Sequence, residues 1–98
     1  MYFWLTQEKK SVAARAVFEE GLRDLLACSH IQSAIWGRPA ATQTRPVTDQ
    51  TWDYALSLRF PDLAAHDAYQ VDPLHELFVA EFQDYWDKVQ VLDVEELS

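Results

Sequence analysis

The stretch Thr51–Phe60, TWDYALSLRF, alternates with a period of two. Trp52, Tyr54, Leu56, Leu58 and Phe60 fall on one side; Thr51, Asp53, Ser57 and Arg59, with Ala55 among them, fall on the other. Only an extended chain has that period, so the segment is predicted as a strand with one well-buried face. Upstream, His30–Gly37 (HIQSAIWG) reads as another strand, stopped by Gly37 and Pro39. Residues 38–50 are too polar and too Pro-broken for an element and read as a long loop. Further upstream, Ser11 is placed to N-cap a helix whose apolar arc holds Ala14, Val17, Phe18, Gly21, Leu22 and Leu25, opposite Glu19, Glu20 and Arg23. Gly21 in that stripe costs about 1 kcal/mol against Ala, which close packing or room for a cavity would explain. Before it, Tyr2–Thr6 is a short apolar strand.

Downstream, Asp62 caps a short helix running to about Tyr69. A second helix then starts at Asp72-Pro73, with Asp72 at N-cap and Pro73 at the first helical position, where a missing N–H costs nothing. Val89–Val94 closes the chain as a strand. The order β-α-β-β-α-β, with its second helical unit in two pieces, predicts one α+β domain over residues 1–98. Its architecture is ferredoxin-like, an antiparallel sheet with helices on one face. Such helices cover one sheet face only, yet Tyr2 and Trp4 oppose Phe3 and Leu5, and Val89 and Val91 oppose Leu92 and Val94. An apolar face left open exceeds what a monomer usually exposes, and a two-fold related copy is the simplest cover. The expectation is a homodimer paired sheet to sheet.

The chain has 98 residues, 49% hydrophobic and 13% aromatic, which supports a packed core and excludes disorder. A net charge of −8 excludes a nucleic-acid binder built on phosphate neutralisation. The charge is uneven: residues 61–98 carry ten acids against Lys88, and residues 1–60 are nearly balanced. Cys28 is the sole cysteine, so no internal disulfide or Cys-rich metal site is available. The N-terminal apolar run is too short for a signal sequence, and no run nears the ~18 apolar residues of a membrane span. A reduced cytoplasmic setting without membrane contact is the expectation. With only Gly21 and Gly37, the chain holds no Gly-rich phosphate loop. No metal-ligand spacing is recognised around His66, Asp67, Asp72, His75 and Glu76, so no metal or other cofactor is expected.

The chemistry-bearing segment is YQVDPLH, residues 69–75. On a helical wheel His75 falls between Phe82 and Trp86, in an arc with Phe78 and Val79, and so points inward on the first turn. There the helix dipole and desolvation both disfavour imidazolium, while Asp72 pulls the other way. A neutral His75 has the form a general base needs. Tyr69 ends the preceding helix, near enough to share a ligand with it. A buried His satisfied by a carbonyl beside a core Tyr gives the same pattern, so catalysis and packing both stand. His66 is expected to be exposed, and His30 structural.

These segments resemble the stress-responsive dimeric α/β-barrel (Dabb) family. The matching pieces are YFWL at 2–5, IWGRPA at 35–40, WDYALSLRF at 52–60, DAYQVDPLHELFV at 67–79 and FQDYWDKVQVLD at 82–93. The most specific part runs through Tyr69, Pro73, His75, Phe78 and Val79. The resemblance implies a ferredoxin-like protomer whose sheets pair into a dimeric barrel. In a polyketide-cyclase member of the family, a His and a Tyr at the positions of His75 and Tyr69 act in an aldol-type ring closure. By that resemblance His75 is a base and Tyr69 holds a substrate carbonyl. Trp86 matches a pocket Trp of that enzyme, whereas Tyr54 stands in place of a His and Gly21 in place of a pocket Tyr.

The resemblance also implies a cavity between helices and sheet. Its expected walls are Tyr2, Trp4, Phe18, Leu22, Tyr54 and Leu56, with Phe78, Phe82, Trp86, Val89 and Val91 completing them. The leading reading is a small-molecule binding protein with His75-assisted proton transfer on a carbonyl compound. The alternatives are a non-catalytic dimeric domain that sequesters a ligand, with His75 structural, and more remotely a cofactor-free oxygenase. A cavity of about 300 Å³ or more reaching His75 and Tyr69 favours the first; aromatic side chains closing it favour the second. The acidic 61–98 half repels anions and so favours a neutral apolar ligand.

Overall fold

The structure, a computed structural model describing residues 1–98, is a four-stranded antiparallel sheet in the order β2-β3-β1-β4, with its helices on one face. In chain order the elements are β1 (Tyr2–Leu5), α1 (Val12–Leu25), β2 (Ser33–Gly37), β3 (Tyr54–Arg59), α2 (Leu63–Gln70), α3 (Pro73–Phe82) and β4 (Trp86–Gln90). Short 3-10 turns, Gln7–Lys9 and Gln83–Tyr85, precede α1 and β4. This is the ferredoxin-like arrangement expected from the sequence.

Side-chain caps set the three helix starts. Ser11 Oγ accepts from Ala14 N at 3.1 Å, Asp62 from Ala65 N at 2.8 Å, and Asp72 from Leu74 N at 2.9 Å. Each supplies an oxygen to an N–H that has no partner inside its helix. The core lies between helices and sheet. Phe18, Leu22 and Leu25 of α1 and Phe78 and Phe82 of α3 pack on Phe3, Leu5, Tyr54 and Leu56. α1 and α3 approach closely because Gly21 has no side chain: a Cβ there would collide with the ring edge of Phe82. Close packing is therefore what the glycine provides.

The strands depart from expectation in three places. In β1 it is Phe3 and Leu5 that face the helices and are buried, so Tyr2 and Trp4 lie on the open face. Because β1 is apolar on both sides, its sequence alone leaves the face undecided. The alternation in Thr51–Phe60 holds from Tyr54 onward but not at Trp52. Residues 49–53 precede the strand in a turn where Asp49 accepts from Thr51 N and from the Thr51 hydroxyl, at 2.8 and 2.6 Å. Trp52 consequently meets Tyr2 edge to face at 5.4 Å. The last strand lies earlier than Val89–Val94. Its register runs Tyr2↔Gln90, Phe3↔Val89, Trp4↔Lys88 and then Leu5↔Trp86, so Asp87 is an extra residue in a β-bulge. That bulge lets Trp86 and Val89, three residues apart, both face the helices.

Asp53 ties these parts together. One carboxylate oxygen accepts from Leu5 N at 2.8 Å and the other from Arg15 at 2.9 Å, joining β1, the entry to β3 and α1. The loop from residue 38 to 53 is organised by the Gln50 carboxamide, which donates to the Ala40 and Thr42 carbonyls at 2.9 and 3.3 Å.

Candidate functional site

α2 and α3 meet at a sharp corner, Val71-Asp72, that the Asp72 cap holds in place. The corner brings Tyr69, at the end of α2, against His75, in the first turn of α3. Their rings pack edge to face with centroids 4.8 Å apart. Behind Tyr69 stands Phe60, at 5.2 Å. His30 approaches the corner from the turn between α1 and β2, with its Nε2 3.7 Å from Asp72 Oδ2.

Tyr69 and His75 border a pocket of about 170 Å³ between the α2–α3 corner and the β1–β4 side of the sheet. Its other walls are Phe3, Leu25, Phe78 and Trp86, with Met1 and Gln70 at the sides and Val79, Val89 and Val91 at the mouth. The three valines are 37%, 41% and 50% exposed, so the pocket opens past them to solvent. Nine of its eleven lining residues are hydrophobic.

Two groups give the pocket its chemistry. Tyr69 is 1% exposed, and its hydroxyl has no hydrogen-bond partner in the protein. Burial, with the Cys28 thiol nearby, pushes its pKa up to about 12, so the phenol stays protonated and able to donate. His75 is shifted the opposite way. Burial lowers its pKa, against the Gln70 backbone and the Glu76 and Asp72 carboxylates, which pull it upward. Its place at the third residue of α3 adds the positive end of the helix dipole. His75 is therefore held toward the neutral imidazole, a hydrogen-bond donor and a proton acceptor at once.

The residues proposed from sequence separate into three groups. His75, Tyr69, Phe78, Trp86, Val89 and Val91 come together around the pocket. Phe18, Leu22, Tyr54, Leu56 and Phe82 are buried in the solid core beside it, where Phe18 contacts Tyr54 and Phe82 at 5.3 and 5.6 Å. The Tyr54 hydroxyl donates to Glu19 at 2.6 Å, away from the pocket. Tyr2 and Trp4 are on the far face of the sheet, Trp4 donating to Thr51 and lying under Lys88. The sequence reading did not place Met1, Phe3, Leu25, Gln70 or Val79 among the pocket walls. The opposite parity for β1 would have found Phe3, and the position after Tyr69 points to Gln70. His66 is half-buried against Phe60 at 5.4 Å, not exposed. Nowhere do three His, Cys, Asp or Glu side chains converge as metal ligands would. None of the helices is long and apolar enough to cross a membrane.

Fold and sequence together define the class. Residues 1–96 match the Dabb family, the stress responsive A/B barrel domain, and the chain belongs to that family. A comparison with curated proteins finds no match.

Proposed function

We propose that this Dabb domain binds a small, largely apolar molecule in the pocket beside Tyr69 and His75, with His75 serving as a base toward a carbonyl compound. The carrying observation is the buried, unpartnered Tyr69 hydroxyl next to an imidazole held toward neutrality, both on an apolar pocket. Apolar walls with a few converging polar groups are the usual composition of a small-molecule site. In this reading Tyr69 donates to the ligand's carbonyl oxygen, and His75 takes a proton from the adjacent carbon. The resulting enolate oxygen keeps the Tyr69 hydrogen bond, which strengthens as charge develops on it.

The test is exchange of the methyl protons of acetophenone for deuterium in heavy water, followed by proton NMR. Wild type is expected to accelerate exchange over buffer, and His75→Ala to lose the acceleration. Binding of acetophenone without acceleration assigns the pocket to sequestration instead. About 170 Å³ lies below the ~300 Å³ at which typical ligand sites begin, so in either reading the ligand is a small one.

The unit that does this is a homodimer in our reading, paired through the open sheet face. Tyr2, Trp4, Ile35 and Ala55 face outward there without a helix over them, Ile35 being 74% exposed. Domains of this family generally pair.

A further inference from the structure

We propose that the pocket selects a neutral molecule the size of a single ring, carrying one hydrogen-bond acceptor, and rejects the carboxylate of the same size. This rests on the reading of the pocket as a ligand site and adds what it discriminates.

Size comes first. A sealed apolar cavity of about 150 Å³ is enough to hold benzene, so about 170 Å³ encloses one ring and a small substituent, and a second ring would stand outside the mouth. The walls agree with a flat occupant, since Phe3, Phe78 and Trp86 present aromatic surfaces, Phe78 stacking on Trp86 at 5.9 Å. Polarity comes next. Among the buried polar side-chain atoms of the lining residues, only the Tyr69 hydroxyl lacks a protein partner. A single acceptor on the ligand satisfies it, whereas a pure hydrocarbon leaves it unpaired.

Charge decides the rest. No Lys or Arg side chain lines the pocket. The Met1 amino group donates to the Leu56 carbonyl at 2.9 Å, and burial lowers its pKa toward the uncharged amine. His75 is held toward its uncharged form, and Asp72 and Glu76 are the carboxylates nearest in its field. A carboxylate entering would be desolvated with no Lys or Arg to meet it and with two acids beyond His75. An aryl ketone or aldehyde meets none of these penalties.

The experiment uses three one-ring probes of near-equal size, acetophenone, isopropylbenzene and benzoate, titrated into the full-length isotope-labelled protein at about pH 7.5 and followed by amide NMR. Acetophenone is expected to shift Tyr69, His75, Phe78 and Val89. Isopropylbenzene should shift the same residues with about three- to tenfold weaker affinity, the worth of one hydrogen bond. Benzoate should bind at least ~100-fold more weakly than acetophenone. In Tyr69→Phe the two neutral probes should bind alike. Benzoate binding these residues as tightly as acetophenone overturns the charge selection while leaving a ligand site standing. Equal binding of both neutral probes by wild type overturns the acceptor requirement. Pocket residues that respond to none of the three overturn both the selection and the ligand-site reading. Should Tyr69→Phe fail to fold, the wild-type comparison decides alone.

Discussion

The ring of Phe82 occupies the space that a Cβ on Gly21 would need, so α1 and α3 are locked at a distance only glycine permits. On an isolated helix, Gly21→Ala would gain about 1 kcal/mol. Here Phe82 is 4% exposed and wedged against Phe18, Phe78 and Tyr85, and has nowhere to turn. Gly21→Ala should therefore destabilise by about 1–3 kcal/mol, the usual result of overpacking. Thermal melts should show a drop of at least ~4 °C. Gly21→Ala combined with Phe82→Leu should lose less than the two single losses added, because the collision is relieved.

Asp53 holds two donors at once. Asp53→Ala removes the acceptor of the Leu5 N–H and the carboxylate partner of Arg15, which keeps only its Nε bond to the Lys10 carbonyl. A loss of about 2–3 kcal/mol is expected from urea unfolding, with little change in the slope. Arg15→Ala should cost less, since Asp53 keeps its bond to Leu5 N and the Arg15 side chain is 32% exposed.

Tyr69→Phe removes a buried hydroxyl that no protein group satisfies. The unliganded variant should be as stable as wild type or more stable, by up to about 1 kcal/mol. In wild type the folded pKa of about 12 exceeds the ordinary 10, so the unfolded chain releases this proton first. The stability tied to Tyr69 is complete below pH 10 and is lost as pH climbs from 10 through 12. Tyr69→Phe should flatten that decline, read from urea midpoints across this range.

His75 has the opposite linkage. Its folded pKa lies below 6.5, so the unfolded chain binds the proton first as pH falls. The associated stability is present above pH 6.5 and lost on acidification through the lowered folded value. His75→Gln should flatten this part of the curve, and proton NMR should show the His75 ring titrating below the ordinary imidazole value of about 6.5.

Ile35 stands on the open face, opposite Ser57 in the β2–β3 pairing. If the sheets pair as proposed, Ile35→Glu should leave only monomer by light scattering, since paired sheets would bury like charges without partners. A wild type that is monomeric at low micromolar concentration would sink the dimer.

The architecture was legible because its cues are local and polar. Ser11, Asp62 and Asp72 mark helix starts by the chemistry of their oxygens, and Tyr54, Leu56 and Leu58 mark β3 by alternation. His75 and Tyr69 were found together because one helix wheel and one short corner suffice to relate them. What failed was long-range. Tyr2 and Trp4 match Phe3 and Leu5 in hydrophobicity, so only packing against Phe18 and Phe78 chooses the inward pair. Trp52 left the alternation because a turn around Asp49 precedes the strand. The last strand was misplaced because Trp86 and Val89 have opposite parity in any regular strand. The pocket's size is the least legible quantity of all, since it is the remainder after large aromatic side chains have packed.

Asp87 makes the pocket wall unequally tolerant of changes in chain length. Two residues of β4 stand where β1 offers one step, so loss of Asp87 would leave Trp86 opposite Leu5 and Val89 opposite Phe3, now in a regular ladder. One more residue beside it would force a second irregularity or turn Trp86 outward, stripping the pocket of its largest aromatic surface. A chain that drifts in length at this point can shorten without harm to the site but cannot grow.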